Sequence, residues 1–102
     1  MDDTMVETRR ALEAILLVAT DPVPATVLAQ LLEIQVEHVE LICHALAESY
    51  EAGNHGFQLV QVAGGWRYQT HPDMAPYVER FARDGMTSKL SHAALETLSI
   101  VA

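Results

Sequence analysis

Residues 36–70, VEHVELICHALAESYEAGNHGFQLVQVAGGWRYQT, decide the fold, because the hydrophobic period changes partway along them. Val36, Val39, Cys43, Leu46 and Tyr50 recur in alternating steps of three and four, which predicts one buried helical face running to about Glu51. Gly53-Asn54 stops that helix. Residues 57–62 are then rich in β-formers, and residues 66–70 alternate so that Trp66, Tyr68 and Thr70 share one face. Between them Ala63-Gly64-Gly65 offers the positive-φ positions of a tight turn, so the two runs read as the strands of a hairpin. Phe57 and Leu59 are apolar, and so are Val60 and Val62; this breaks strict alternation and suggests a bulge or burial on both faces near Leu59.

Upstream, Thr4-Met5-Val6-Glu7 has the form of a capping box, and Leu12, Ile15, Leu16 and Ala19 follow at helical spacing, so a first helix is expected over 4–19. Asp21-Pro22 ends it. Pro24 suits the first turn of a short second helix whose apolar face is read as Val27, Leu28, Leu31 and Leu32. Downstream, Met74, Tyr77, Val78 and Phe81 restore a helical stripe, with Asp73 as its cap and Pro76 in its first turn. Residues 83–90 are polar and contain Gly85, as a linker does, and a last helix is expected from about Ser91, with Leu95, Leu98 and Ala102 on one side. That pattern is still running at Ala102, which reads as a truncated chain. The result is mainly α with a small β-hairpin (α+β). Helix, helix, helix, two-stranded wing, helix is the order of a winged helix-turn-helix, in which DNA-binding members lay the third helix in the major groove.

The 102 residues are 50% hydrophobic and 20% charged, enough to bury roughly two thirds of the unfolded surface in one domain without a disulfide or a metal. One cysteine, Cys43, leaves no intrachain disulfide and fits a reducing compartment. The start, Met1-Asp2-Asp3-Thr4, is acidic where a secretory signal is basic, and the longest apolar run, residues 14–19, is far below the ~20 residues of a membrane-spanning helix. A soluble, cytoplasmic protein is expected.

Charge separates this chain from DNA-binding members of the architecture. Six Lys and Arg face fourteen Asp and Glu, for a net charge of −8, and residues 11–66 carry seven carboxylates and no Lys or Arg. With Cys43 at the centre of the buried face, an advance of 100° per residue places Glu37, His38, Leu41, His44, Ala45 and Glu48 on the outward face of the third helix. Base readout needs Arg, Lys, Asn or Gln there, and phosphates need cations. Arg67 on the wing cannot offset the carboxylates. A DNA-binding winged-helix regulator is therefore the alternative reading and not the favoured one. On the first helix Val6 and Leu17 point away from the core, beside Arg10 and Glu13. Together with Leu41 and Ala45 they outline a surface for self-association, in which Arg9 and Arg10 of one copy meet Glu37 or Glu48 of another. The expected interface is thus Val6, Arg10, Glu13, Leu17, Glu37, His38, Leu41, Ala45 and Glu48.

No reaction chemistry emerges. Glu40, His44 and Glu48 stand at i, i+4 and i+8, a possible metal or acid/base stripe, but solvated helix charges give the same spacing and no HExxH pattern or second ligand cluster accompanies them. Cys43 lies in an apolar stripe, as a buried hydrophobe does. Trp66 and Tyr68 present faces on which bases can stack, yet alternate like strand residues packed on a core. No cofactor, metal or catalytic residue is expected.

Several segments carry a family resemblance. Ala11-Leu12-Glu13-Ala14-Ile15-Leu16-Leu17-Val18-Ala19, the wing from Ala63 to Thr70, Ala75-Pro76-Tyr77-Val78 and above all Leu90-Ser91-His92-Ala93-Ala94-Leu95-Glu96-Thr97-Leu98 are similar to segregation and condensation protein B, the winged-helix subunit of the bacterial SMC-kleisin condensin. The resemblance spans nearly the whole chain. It implies two winged-helix domains in tandem, the first forming a homodimer and the second gripping the kleisin, segregation and condensation protein A, and through it the SMC ATPase. The expected layout is then a dimerisation domain over 1–83, a linker over 84–90 and the first helix of a truncated second winged-helix domain over 91–102. The family's Tyr-Lys-Gln-Pro-like continuation and Arg-Gly-Val wing motif are absent here, so kleisin binding by these residues alone is expected to be crippled or lost. The implied role is a non-enzymatic adaptor in chromosome condensation and segregation, associated with the nucleoid.

Overall fold

A computed structural model describes residues 3–84, which fall into two units divided between His71 and Pro72. The first unit holds α1 (Asp3–Val18), α2 (Ala25–Leu32), α3 (Val36–Ala52), β1 (Phe57–Val62) and β2 (Gly65–Thr70). The second opens with a 3-10 turn, Pro72–Met74, that leads into α4 (Ala75–Arg83). The expected final helix over 91–102, and the linker beyond Asp84, lie outside the described residues.

The core of the first unit is the convergence of the predicted faces. Leu12 and Leu16 of α1, Leu28 of α2, Val39, Cys43 and Leu46 of α3, Leu59 of β1 and Trp66 of β2 form one buried cluster. Burying side chains of this size contributes about 1.5–3 kcal/mol each, which sets the helix packing. On α2 the face is rotated from the one expected. Ala25, Leu28 and Ala29 are buried, whereas Val27 is exposed and Leu31 is 60% exposed. Eight residues give barely two turns, so the small Ala25 and Ala29 escape a pattern built on large side chains.

The hairpin pairs without a bulge, in a ladder from Phe57 opposite Thr70 to Val62 opposite Gly65. The irregular alternation reflects burial on both sides instead: Leu59 is buried, and Val60 and Val62 are half-buried on the other face. Ala63 (φ 48°) and Gly64 (φ 77°) form the two-residue loop. Both central φ values are positive, as a turn matched to strand twist requires. Gly65 does not share that role. It is a strand residue where a Cβ would lie 2.8 Å from the Val23 carbonyl carbon and 2.9 Å from that of Pro22. The segment before α2 comes that close because Val23 and Trp66 exchange two backbone hydrogen bonds of 2.9 Å, an antiparallel bridge from a third segment to the wing.

Two caps differ from expectation. Within α1, Thr4 is already helical with Asp3 helical before it, and the Thr4 carbonyl accepts the Thr8 hydroxyl at 2.9 Å. Asp73 lies within the 3-10 turn, and Met74 occupies the cap position of α4. Between α2 and α3, Glu33 adopts the left-handed conformation (φ 56°) and closes α2 by donating its N–H to the Ala29 carbonyl. After α3 the left-handed residue is Asn54 (φ 55°), with Gly53 in a right-handed cap.

Candidate protein interface on helices α1 and α3

The core fixes the rotation of α1 and α3, and rotation fixes what each presents outward. With Leu12 and Leu16 inside, α1 exposes Arg10 and Leu17, the latter at 76%, leaving Val6 and Glu13 half-buried. With Val39, Cys43 and Leu46 inside, α3 exposes Glu37, His38, Leu41 (70%), Ala45 and Glu48. The nine residues singled out from the sequence therefore sit on two helix faces.

Two hollows organise them. A groove of about 380 Å³ between the first half of α1 and the outer side of α3 is lined by Met5, Arg9, His38, Leu41, Ile42, Ala45, Leu46 and Ser49. It brings His38, Leu41 and Ala45 together. A second hollow, of about 570 Å³, is lined by Glu13, Ala14, Leu17, Tyr50, Phe57 and Tyr68. It takes Glu13 and Leu17. Val6, Arg10, Glu37 and Glu48 line neither.

Sequence reasoning missed the polar joint behind the second hollow. The Tyr50 hydroxyl donates to Glu13 Oε2 at 2.7 Å, and the Tyr50 and Tyr68 hydroxyl oxygens lie 2.8 Å apart. With its one proton on Glu13, Tyr50 accepts from Tyr68, so α1, α3 and β2 are tied through one carboxylate. Burial raises the Tyr50 pKa, and the hydrogen bonds to Tyr68 and Glu13 raise it further. Tyr68 is raised as well, by burial first. From the sequence Arg9 reads as a surface charge. Its Nε is buried, with no hydrogen-bond acceptor among the described residues, and the residue lines the apolar first groove.

The candidate metal stripe resolves into local contacts. His44 Nε2 is 3.6 Å from Glu40 Oε2, the Glu40 carboxylate reaches Gln61 Nε2 at 3.5 Å, and the His44 ring sits edge-on to Trp66 at 4.9 Å between centroids. Among the described residues no three His, Cys, Asp or Glu side chains gather as a metal site requires. Trp66 is buried, which closes its face to a nucleic-acid base. Burial, with the Glu40 carboxylate adding to it, pushes the Cys43 thiol up to about 12, away from a nucleophile's range. No helix among the described residues is long and apolar enough to cross a membrane.

Comparison with known proteins places this arrangement. The family model for the segregation and condensation complex subunit ScpB matches residues 10–102. Segregation and condensation protein B of Desulforamulus reducens is 42% identical over 96 residues, which are 94% of this chain and 52% of that protein. The crystal structure of ScpB from Mycobacterium tuberculosis superposes with a TM-score of 0.77 at 40% identity, covering 100% of this chain and 63% of that one. A solved dimer of an ScpB N-terminal domain complexed with an ScpA peptide has the same fold, with a TM-score of 0.71 at 23% identity over 76% of this chain and 96% of that one. The chain spans about half the length of the curated relatives it matches. On this match, and on a winged-helix fold shared with solved ScpB structures, the chain belongs to the ScpB family of segregation and condensation complex subunits.

Proposed function

We propose that the chain is a non-enzymatic, architectural subunit of the SMC-kleisin complex in chromosome condensation and segregation. Its winged-helix part, residues 1–83, forms a homodimer. Residues 84–90 act as a linker, and residues 91–102 open a second winged-helix domain. The assembled protein docks on the kleisin, segregation and condensation protein A, and through it on the SMC ATPase, in the cytoplasm at the nucleoid. The family match supports this reading, as does the fold shared with the ScpB dimer solved with an ScpA peptide.

The observation that carries it is the outward face of α3. Glu37, His38, Leu41, Ala45 and Glu48 bring carboxylates and apolar surface where a DNA-reading helix brings cations, and residues 11–66 contain no Lys or Arg. Such a helix repels phosphate and suits a protein partner. The interface is formed by Val6, Arg10, Glu13, Leu17, Glu37, His38, Leu41, Ala45 and Glu48.

Calorimetric titration tests the reading. Dilution of the protein gives the heat of a dissociating dimer, while a DNA duplex injected at low salt gives no saturable heat. Saturable heat from DNA without a dimer to dissociate overturns the reading in favour of a DNA-binding regulator.

A further inference from the structure

We infer that α1 pairs with α1 of a second copy, antiparallel, in a register that sets Val6 against Leu17 of the other copy and Arg10 against its Glu13. The inference deepens the dimer proposed above and rests on it.

Val6, Arg10, Glu13 and Leu17 follow one another at steps of four, three and four. At 100° per residue they lie within about 60° of arc. That spacing is an a/d seam over four layers of helix surface, the pattern by which two helices pack side by side. Read from the N-terminus, the seam is apolar, cationic, anionic, apolar. A two-fold axis crossing α1 between Ala11 and Leu12 lays this stripe against its own reverse. Val6 then falls opposite Leu17, and Arg10 opposite Glu13, each twice, so apolar meets apolar and every charge meets its opposite. A parallel pair sets Arg10 on Arg10 and Glu13 on Glu13, so charge selects the direction.

The structure has these groups ready for such a contact. Leu17 and Arg10 are exposed, and the Arg10 guanidinium has no carboxylate partner among the described residues. Glu13 is held through Oε2 by the Tyr50 hydroxyl, which fixes the carboxylate and leaves Oε1 to accept from a guanidinium. A carboxylate positioned before docking loses less side-chain entropy than a mobile one. The register gives Arg10 a partner on α1, not the Glu37 or Glu48 of α3 expected from charge distribution alone.

Charge exchange tests the register in the full chain. Arg10→Glu alone, or Glu13→Lys alone, brings two like-charge pairs together and weakens the dimer on the order of tenfold, read by light scattering across a dilution series. An equimolar mixture of the two variants restores opposite charges at both positions and recovers the parent affinity. Because Glu13→Lys also removes the Tyr50 bond, a second measurement uses cysteine. Val6→Cys mixed with Leu17→Cys forms a disulfide-linked heterodimer on mild oxidation. Leu17→Cys alone does not, since its two copies stand about 16 Å apart along the axis at 1.5 Å per residue. A parent dimer whose charge variants are unchanged, or whose Leu17→Cys links to itself, overturns this register while the dimer stands. A monomeric parent overturns both.

Discussion

Tyr50 near the end of α3 and Glu13 in the middle of α1 are 37 residues apart in sequence, yet 2.7 Å apart in a hydrogen bond. The core fixes the rotation of the two helices, and this bond ties α1 to α3 beside it. A hydrogen bond to a charged group contributes about 1.5–3 kcal/mol, and removing the donor strands a half-buried carboxylate. Tyr50→Phe is expected to destabilise the fold by about 2 kcal/mol in urea denaturation. Glu13→Gln, which keeps an acceptor for the same hydroxyl, should lose less than half of that. Equal stability of Tyr50→Phe and the parent contradicts the joint.

High pH should loosen the same joint. Tyr50 and Tyr68 are both raised above the ordinary tyrosine value of about 10, with burial foremost. The fold thus holds protons that the unfolded chain releases, so their contribution is fully present below pH ~10 and falls as pH rises toward the folded values. Urea midpoints measured upward from pH ~9 should decline, and the phenolate absorbance of Tyr50 and Tyr68 should appear late. Ordinary titration of Tyr50 and Tyr68 without loss of stability refutes this.

Gly64 and Gly65 adjoin but serve different ends, and alanine separates them. Gly64→Ala meets open space and strains only a left-handed φ, at about 1 kcal/mol. Gly65→Ala forces a Cβ against the Pro22 and Val23 backbone and should cost about 3 kcal/mol, prying β2 from the Val23 bridge. The amide of Trp66, which donates to Val23, should then exchange with deuterium faster than in Gly64→Ala.

Cys43 is fully buried and its thiol is pushed up to about 12. It should resist a thiol reagent in the native state and react at the rate of unfolding. Cys43→Ser, which puts a hydroxyl among apolar neighbours, is expected to destabilise by about 1–3 kcal/mol, more than Cys43→Ala. Rapid native-state labelling contradicts this packing.

Legibility in the sequence followed the range of each interaction. The α3 stripe is long and strongly periodic, so its extent and buried face were readable from Val36 to Tyr50; the hairpin was readable because only β-formers around a turn produce that pattern. What was hidden depended on contacts between distant segments. Gly65 looks like a turn glycine until Pro22 and Val23 come against it, and Glu13 looks like a solvated charge until Tyr50 arrives. Val27 and Leu31 read as inward by size, although Leu28 with Ala25 and Ala29 carries the buried face of α2. On the candidate surface, the outward direction of Leu17 and Leu41 followed from helical rotation, while the two hollows beside them and the buried Nε of Arg9 did not. Those need the spacing between helices, which no single stripe encodes.

The central claim is that the outward faces of α1 and α3 meet a second copy, and sedimentation equilibrium tests it most directly. The chain should sediment at twice its 11.2 kDa at micromolar concentration, and Leu17→Glu or Leu41→Lys should shift it toward the single mass. A parent that sediments at the single mass, or variants that dimerise as tightly as the parent, would contradict it.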